Sequence, residues 1–101
     1  MHPYTAADTL RIAKRYNNPK RSYLLVNPLQ AKHIPVSPAA ALEMMGALGN
    51  QVAAKYPEAR LVIGFAETAT AIGAAVAARL GPDCLYVHTT REALDGDWIL
   101  F

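Results

Sequence analysis

A loop of small residues separates an apolar strand from a helix in the stretch LVIGFAETATAIGAAVAARL, which begins at Leu61. Small side chains let an anion approach the backbone, and the first amides of a helix lack internal partners and carry partial positive charge. Phosphate is an anion that this arrangement favours. The pattern therefore predicts a phosphate site at five residues: Ala66, Glu67, Thr68, Ala69 and Thr70. An ordinary turn, in which Thr68 or Thr70 only caps the helix, stays open as the alternative.

Basic and imidazole side chains are expected near the same edge of the sheet. Arg91 closely follows a predicted strand, where it could bind phosphate in a bidentate manner or lie in solvent beside Glu92. Lys32 and His33 occupy a proline-bounded loop after an earlier strand and could reach the same edge, although a surface lysine and a half-buried histidine are the common outcome. His88 is interpreted as packed, or fixed in one tautomer, rather than as catalytic.

Several classes of site are disfavoured by the motifs that the sequence lacks. It contains no GxGxxG and no Walker lysine, which disfavours dinucleotide and P-loop nucleotide folds. The three histidines have no ligand spacing, so no protein-bound metal site is expected. The single Cys84 excludes an internal disulfide and suits a reducing cytoplasm.

Length and composition limit the protein to one small domain. The chain has 101 residues, of which 52% are hydrophobic and only 18% charged, so disorder is excluded and part of the apolar surface is expected to meet a partner. The net charge is +2, with a loose basic group at Arg11, Lys14, Arg15, Lys20 and Arg21, and nucleic acid is therefore not expected as a ligand. Because no signal peptide or membrane span is recognisable, we expect a cytoplasmic protein without membrane contact.

The order of the predicted elements indicates an α/β fold. We expect a parallel sheet with helices on both faces, because strands and helices alternate with short connections. The predicted elements are a helix at 6–16, a buried strand at 22–27, an extended connection at 29–38, a helix from Pro38 that Ser37 caps and that ends before Pro57, a strand at 61–65, a helix at 70–80 and a strand at 84–88. Leu42, Met45, Leu48, Val52 and Tyr56 are the predicted inward stripe of the long helix.

Three segments, NPKRSYLLVNPLQAKHIPVSP, VIGFAETATAIG and LYVHTTRE, together resemble the amino-terminal half of the type I phosphoribosyltransferase-like family. They resemble in particular the branch associated with tellurite-resistance and stress operons. The resemblance spans most of residues 18–92. It implies that the loop at 66–70 binds the pyrophosphate of phosphoribosyl pyrophosphate, that Arg91 assists, and that Mg²⁺ accompanies the ligand.

Two departures from that family pattern limit the activity that the resemblance implies. Glu67 stands where many relatives have a basic residue or glycine, and a carboxylate there repels phosphate unless Mg²⁺ or a ribose hydroxyl accepts it. The acidic, Thr-Gly-rich loop that grips ribose 5-phosphate is absent, and Asp95 and Asp97 do not match it. We therefore expect an apparently truncated domain over residues 1–101 that binds pyrophosphate but is inactive alone.

Two other functions stay open. The first is a non-catalytic module that forms a homo-oligomer, or binds a carboxyl-terminal partner segment, through the apolar end Trp98 to Phe101. The second is a small regulator that prefers a nucleobase ligand. The acceptor substrate is not indicated by any residue of the sequence.

Overall fold

The computed structural model describes residues 4–16, 18, 20–32 and 34–92, and it has an α/β architecture. Its elements in chain order are α1 (Ala6–Thr9), β1 (Arg11–Lys14), β2 (Tyr23–Val26), a 3₁₀ helix (Pro28–Gln30), α2 (Pro38–Lys55), β3 (Leu61–Gly64), α3 (Thr70–Leu80) and β4 (Leu85–His88). The strands form two separate sheets within the described residues: an antiparallel β1–β2 pair and a parallel β3–β4 pair. None of the described helices is both long and apolar enough to cross a lipid bilayer.

The second half of the predicted order is confirmed from α2 onward. Ser37 caps α2 by accepting a hydrogen bond from the Ala40 amide, and Pro38 occupies the first turn, where its missing N–H is not needed. The predicted helix at 70–80 is α3, and it ends at Gly81, whose φ of 108° is accessible to a residue without Cβ. β3 and β4 pair in parallel, with Gly64 opposite His88.

The core lies where α2 packs against α3 and the 3₁₀ helix. Ala41, Met44 and Met45 are buried there, and partly buried side chains from α3 and the neighbouring segments pack against them. The predicted inward stripe of α2 is therefore right at Met45, half-buried at Val52 and wrong at three positions that are exposed: Leu42 at 62%, Leu48 at 39% and Tyr56 at 50%. Gly46 and Gly49 of α2 also face α3, where a Cβ on either would meet the Arg79 side chain.

The loop that follows β3 is positioned by a tight contact between α3 and the parallel pair. A Cβ on Gly73 would lie 2.9 Å from the Tyr86 ring and 3.2 Å from the Gly64 Cα. A Cβ on Gly64 would lie 2.7 Å from the backbone oxygen of Ala69. Glycine at both positions therefore allows α3 to rest on the sheet with Tyr86 beside them, and this fixes where the loop turns.

The predicted first helix is wrong beyond its first turn. The capping box is present, because the Thr5 amide donates to Asp8, but α1 ends at Thr9 and the chain continues as β1. The Arg15 amide donates to the Ser22 carbonyl at 2.7 Å and extends the pairing of β1 with β2. Pairing with β2 thus gives the backbone of residues 11–15 the partners that a longer helix would have supplied.

The predicted three-stranded parallel sheet with helices on both faces is also wrong in the described residues. The strand predicted at 22–27 as buried on both faces is β2, which is antiparallel to β1 and alternates between exposed and half-buried residues. On the parallel pair, α3 covers one face, whereas Leu61, Leu85 and Val87 on the other face are exposed. The predicted extended connection at 29–38 begins instead inside the 3₁₀ helix.

Substituting a helical glycine tests the contact between α3 and the sheet. We expect Gly73→Ala to lower the free energy of unfolding by about 1–3 kcal/mol, because the new methyl group meets a ring and a backbone atom. Gly46→Ala is the matched control, since its nearest neighbour is the flexible end of Arg79, and it should be neutral or stabilise by up to about 1 kcal/mol. Urea unfolding measures both, and equal effects would contradict the proposed contact.

Candidate functional site

The predicted anion-binding loop joins β3 to α3 and is closed by its own backbone. The Ala69 amide donates to the Phe65 carbonyl at 3.0 Å, and the Thr70 amide donates to the Glu67 carbonyl at 3.3 Å. The peptide bond between Ala66 and Glu67 is cis. Ala69 is the residue that precedes α3, and no side chain caps the helix there. Neither Thr68 nor Thr70 therefore caps α3, so the capping part of the alternative is wrong, whereas the anion site itself stays a prediction.

Four amides of the loop and of the first turn of α3 make no hydrogen bond to another described residue. They belong to Glu67, Thr68, Ala71 and Ile72. By contrast, the Ala66 amide donates to the Thr89 hydroxyl at 2.8 Å. The free donors lie at the positive end of an 11-residue helix, which is a suitable environment for an anion.

The segment after the 3₁₀ helix brings a cation to this loop. The Lys32 ammonium donates to the Thr68 hydroxyl at 2.7 Å, and the Gln30 amide group donates to the Thr68 carbonyl. Ala31, between them, has a φ of 65°, so the chain turns sharply at this point. The sequence predicts Lys32 as a ligand-binding residue but gives no role to Gln30. The one available signal for Gln30 is its position two residues before Lys32.

Thr89 and Tyr86, at the end of β4 and within it, support the loop, and their roles are not predictable from the sequence pattern. The Thr89 amide donates to the Gly64 carbonyl at 3.0 Å, while its hydroxyl accepts from Ala66. Thr89 therefore joins the carboxyl ends of both parallel strands. The Tyr86 hydroxyl donates to the Thr70 carbonyl in the first turn of α3. The sequence offers two weak signals for these supporting roles: Thr89 directly follows a predicted strand, and Tyr86 lies within that strand.

The remaining sequence candidates lie at the same end of β4 or outside the described residues. Arg91 is exposed and makes no hydrogen bond or ion pair with a described residue, so its role stays a prediction. His88 is exposed rather than packed, and its Nδ1 lies 3.0 Å from the Thr89 carbonyl oxygen, which favours the tautomer protonated at Nδ1. His33 and the apolar end at 98–101 are outside the described residues.

A family model described as phosphoribosyl transferase matches residues 9–101. The chain belongs to the phosphoribosyl transferase family. No curated protein matches the sequence, and no solved structure does. The more specific resemblance to the tellurite-resistance branch stays a prediction, as does the complete type I fold.

The side chains of this phosphoribosyl transferase domain that could ligate a metal ion limit how Mg²⁺ could be held. The described residues contain no group of three or more His, Cys, Asp and Glu side chains that could hold a metal ion. Glu67 supplies a carboxylate within the loop itself. One carboxylate suits a Mg²⁺ ion that keeps most of its ligands from phosphate and water. These residues fit a metal that accompanies a ligand better than a metal that is resident.

Removing the Thr89 hydroxyl should destabilise the candidate site. We expect Thr89→Val to lower the free energy of unfolding by about 1–3 kcal/mol, because the half-buried Ala66 amide loses its acceptor. Thr89→Ser keeps the hydroxyl and should recover most of the loss. Thr90→Val is a matched control at an exposed position and should change stability by only about 0.5 kcal/mol. Equal unfolding free energies for the valine and serine variants at residue 89 would contradict this role.

Proposed function

We propose that this phosphoribosyl transferase domain binds the pyrophosphate group of phosphoribosyl pyrophosphate at residues 66–70. The observation that carries the proposal is that the amides of Glu67, Thr68 and the start of α3, next to the Lys32 ammonium, have no acceptor in the described part of the chain. Family membership supports a phosphoribosyl-type ligand. Arg91 is proposed as a second cation, which would approach the ligand from the end of β4.

The two charged groups near the loop act in opposite directions on a pyrophosphate. Lys32 attracts the ligand, and its hydrogen bond to Thr68 holds the ammonium beside the free amides. The exposed Glu67 carboxylate repels a free phosphate group, but it can accept Mg²⁺ that the phosphate oxygens also bind. We therefore propose that the ligand is magnesium pyrophosphate or its phosphoribosyl ester rather than the free anion.

Phosphoribosyl transfer requires stabilisation of a leaving pyrophosphate as negative charge develops on it. Preorganised amides and a fixed cation are suited to this role, because they need little rearrangement during the reaction. The rate also depends on holding the ribose 5-phosphate, which aligns the reacting carbon. The sequence printed here lacks the acidic, Thr-Gly-rich loop for that group. We propose that the 101-residue chain binds the ligand but does not catalyse transfer unaided.

Calorimetric titration of the chain with magnesium pyrophosphate tests the proposal. We expect measurable binding that Lys32→Met weakens by about 1 kcal/mol or more, roughly fivefold, because an ammonium next to the phosphate is lost. Lys55→Met removes the same charge at the end of α2 and should leave the affinity unchanged.

An assay of pyrophosphate release from phosphoribosyl pyrophosphate provides the second measurement. No turnover is expected from the 101-residue chain. Robust release would contradict the proposed inactivity, and absence of binding by the parent chain would contradict the proposed site.

A second candidate function is self-association, and the face of β3–β4 that no described element covers favours it. Parallel sheets are normally covered on both faces, yet Leu61, Leu85 and Val87 are exposed there. We infer that this face pairs with a second copy of the chain. Light scattering should then report a stable oligomer, and Leu85→Glu should convert it to monomer while Glu58→Gln, an exposed control, should not. A monomeric parent chain would exclude this function.

A further inference from the structure

Positive charge is concentrated on the hairpin formed by β1 and β2. Six of the ten Lys and Arg residues lie between positions 9 and 42, and no Asp or Glu occurs in that stretch. Five of the six belong to the hairpin: Arg11, Lys14, Arg15, Lys20 and Arg21. The overall charge is only +2 because eight acidic residues, all outside this stretch, offset most of the ten basic ones.

One face of the hairpin combines Lys14 with exposed aromatic and aliphatic side chains. Lys14 pairs with Tyr23 directly across the two strands, so both side chains stand on one face. Tyr16 lies two residues after Lys14 and is 90% exposed, and Tyr23 is 62% exposed. By strand alternation Ile12 and Leu25, which pair with each other, stand on the same face and are 75% and 59% exposed. Lys14 is therefore the strand cation on this face, and Lys20 and Arg21 line a groove together with Tyr23.

The face is open to a ligand. The two strands pack chiefly against each other. An open groove of about 600 Å³ runs along β2 and is lined by Lys20, Arg21, Ser22, Tyr23, Leu24 and Leu25. Among the described residues, none of the hairpin cations forms an ion pair with a carboxylate, although Arg11 donates to the carbonyl groups of Ala7 and Leu10.

We propose that this hairpin face binds single-stranded nucleic acid. Cations along an open groove match the phosphate backbone, and exposed tyrosine rings provide stacking surfaces for unpaired bases. A duplex hides its base faces and would leave Tyr16 and Tyr23 without partners. An anionic lipid surface would also attract the cations, but Ile12 and Leu25 are too few and too closely flanked by charge to form a continuous apolar stripe.

The structure arranges the basic residues differently from the sequence-based prediction that argues against nucleic acid as a ligand. The sequence argues against nucleic acid because the net charge is only +2 and the basic group is loose, with Arg11, Lys14 and Arg15 in the predicted helix at 6–16 and Lys20 and Arg21 after it. The hairpin instead places Lys14 directly across from Tyr23, and Lys20 and Arg21 line a groove with the same tyrosine. The proposed pyrophosphate loop does not include this surface, so the two proposals can fail separately.

Fluorescence anisotropy with a labelled single-stranded oligouridine of about 12 nucleotides tests the proposal. We expect binding that weakens as salt increases. The double variant Lys20→Gln with Arg21→Gln should bind at least roughly tenfold more weakly and reduce the salt slope by about 1.4, since each phosphate contact contributes about 0.7. Tyr23→Ala should lose roughly 5- to 100-fold in affinity with the slope unchanged, whereas Tyr23→Phe should retain binding.

A double variant elsewhere on the chain distinguishes a specific RNA site on the hairpin from non-specific electrostatic attraction. Lys55→Gln with Arg60→Gln makes the same change in net charge outside the hairpin and should leave RNA affinity within about twofold of the parent. Thermal melting and magnesium pyrophosphate titration should be unchanged in both double variants. Absent RNA binding, equal weakening by the two double variants, or binding only to phosphatidylserine vesicles would overturn the proposal.

Discussion

The close approach of α3 to the parallel β3–β4 pair is the constraint on which the candidate site depends. Gly64 and Gly73 leave room for that approach, and Tyr86 fills the space beside them while its hydroxyl holds the first turn of the helix. The loop between β3 and α3 is short, so fixing both of its ends determines its path. A larger side chain at either glycine would separate the layers that define the loop.

Some amides of the loop between β3 and α3 donate hydrogen bonds within the protein, and others do not. Those of Ala66, Ala69 and Thr70 have acceptors within the protein, and the backbone is closed by them. Those of Glu67 and Thr68 have no acceptor among the described residues, so a ligand can satisfy them without breaking an internal bond. Such preorganisation favours binding because the protein need not exchange one set of hydrogen bonds for another.

Charge is distributed over the fold in two regions with different surroundings. Lys32 stands beside the loop amides and is held by Thr68, which suits a compact anion. On the hairpin, Lys20 and Arg21 line an open groove together with Tyr23, which suits an extended chain of phosphates. One acid-free stretch of sequence supplies both regions, because it runs from β1 past the 3₁₀ helix to the loop contact.

The sequence by itself determined the elements whose signals are local, and it located the loop. Ser37 sets the start of α2 and Gly81 the end of α3, and in both cases the backbone geometry depends on only a few neighbouring residues. Tertiary structure alone decided the β1–β2 hairpin, because an apolar and basic segment can form either a helix or a strand until a partner strand satisfies its backbone. It also decided which loop amides are free, since the acceptor for Ala66 is Thr89, 23 residues away, and such pairing leaves no local pattern.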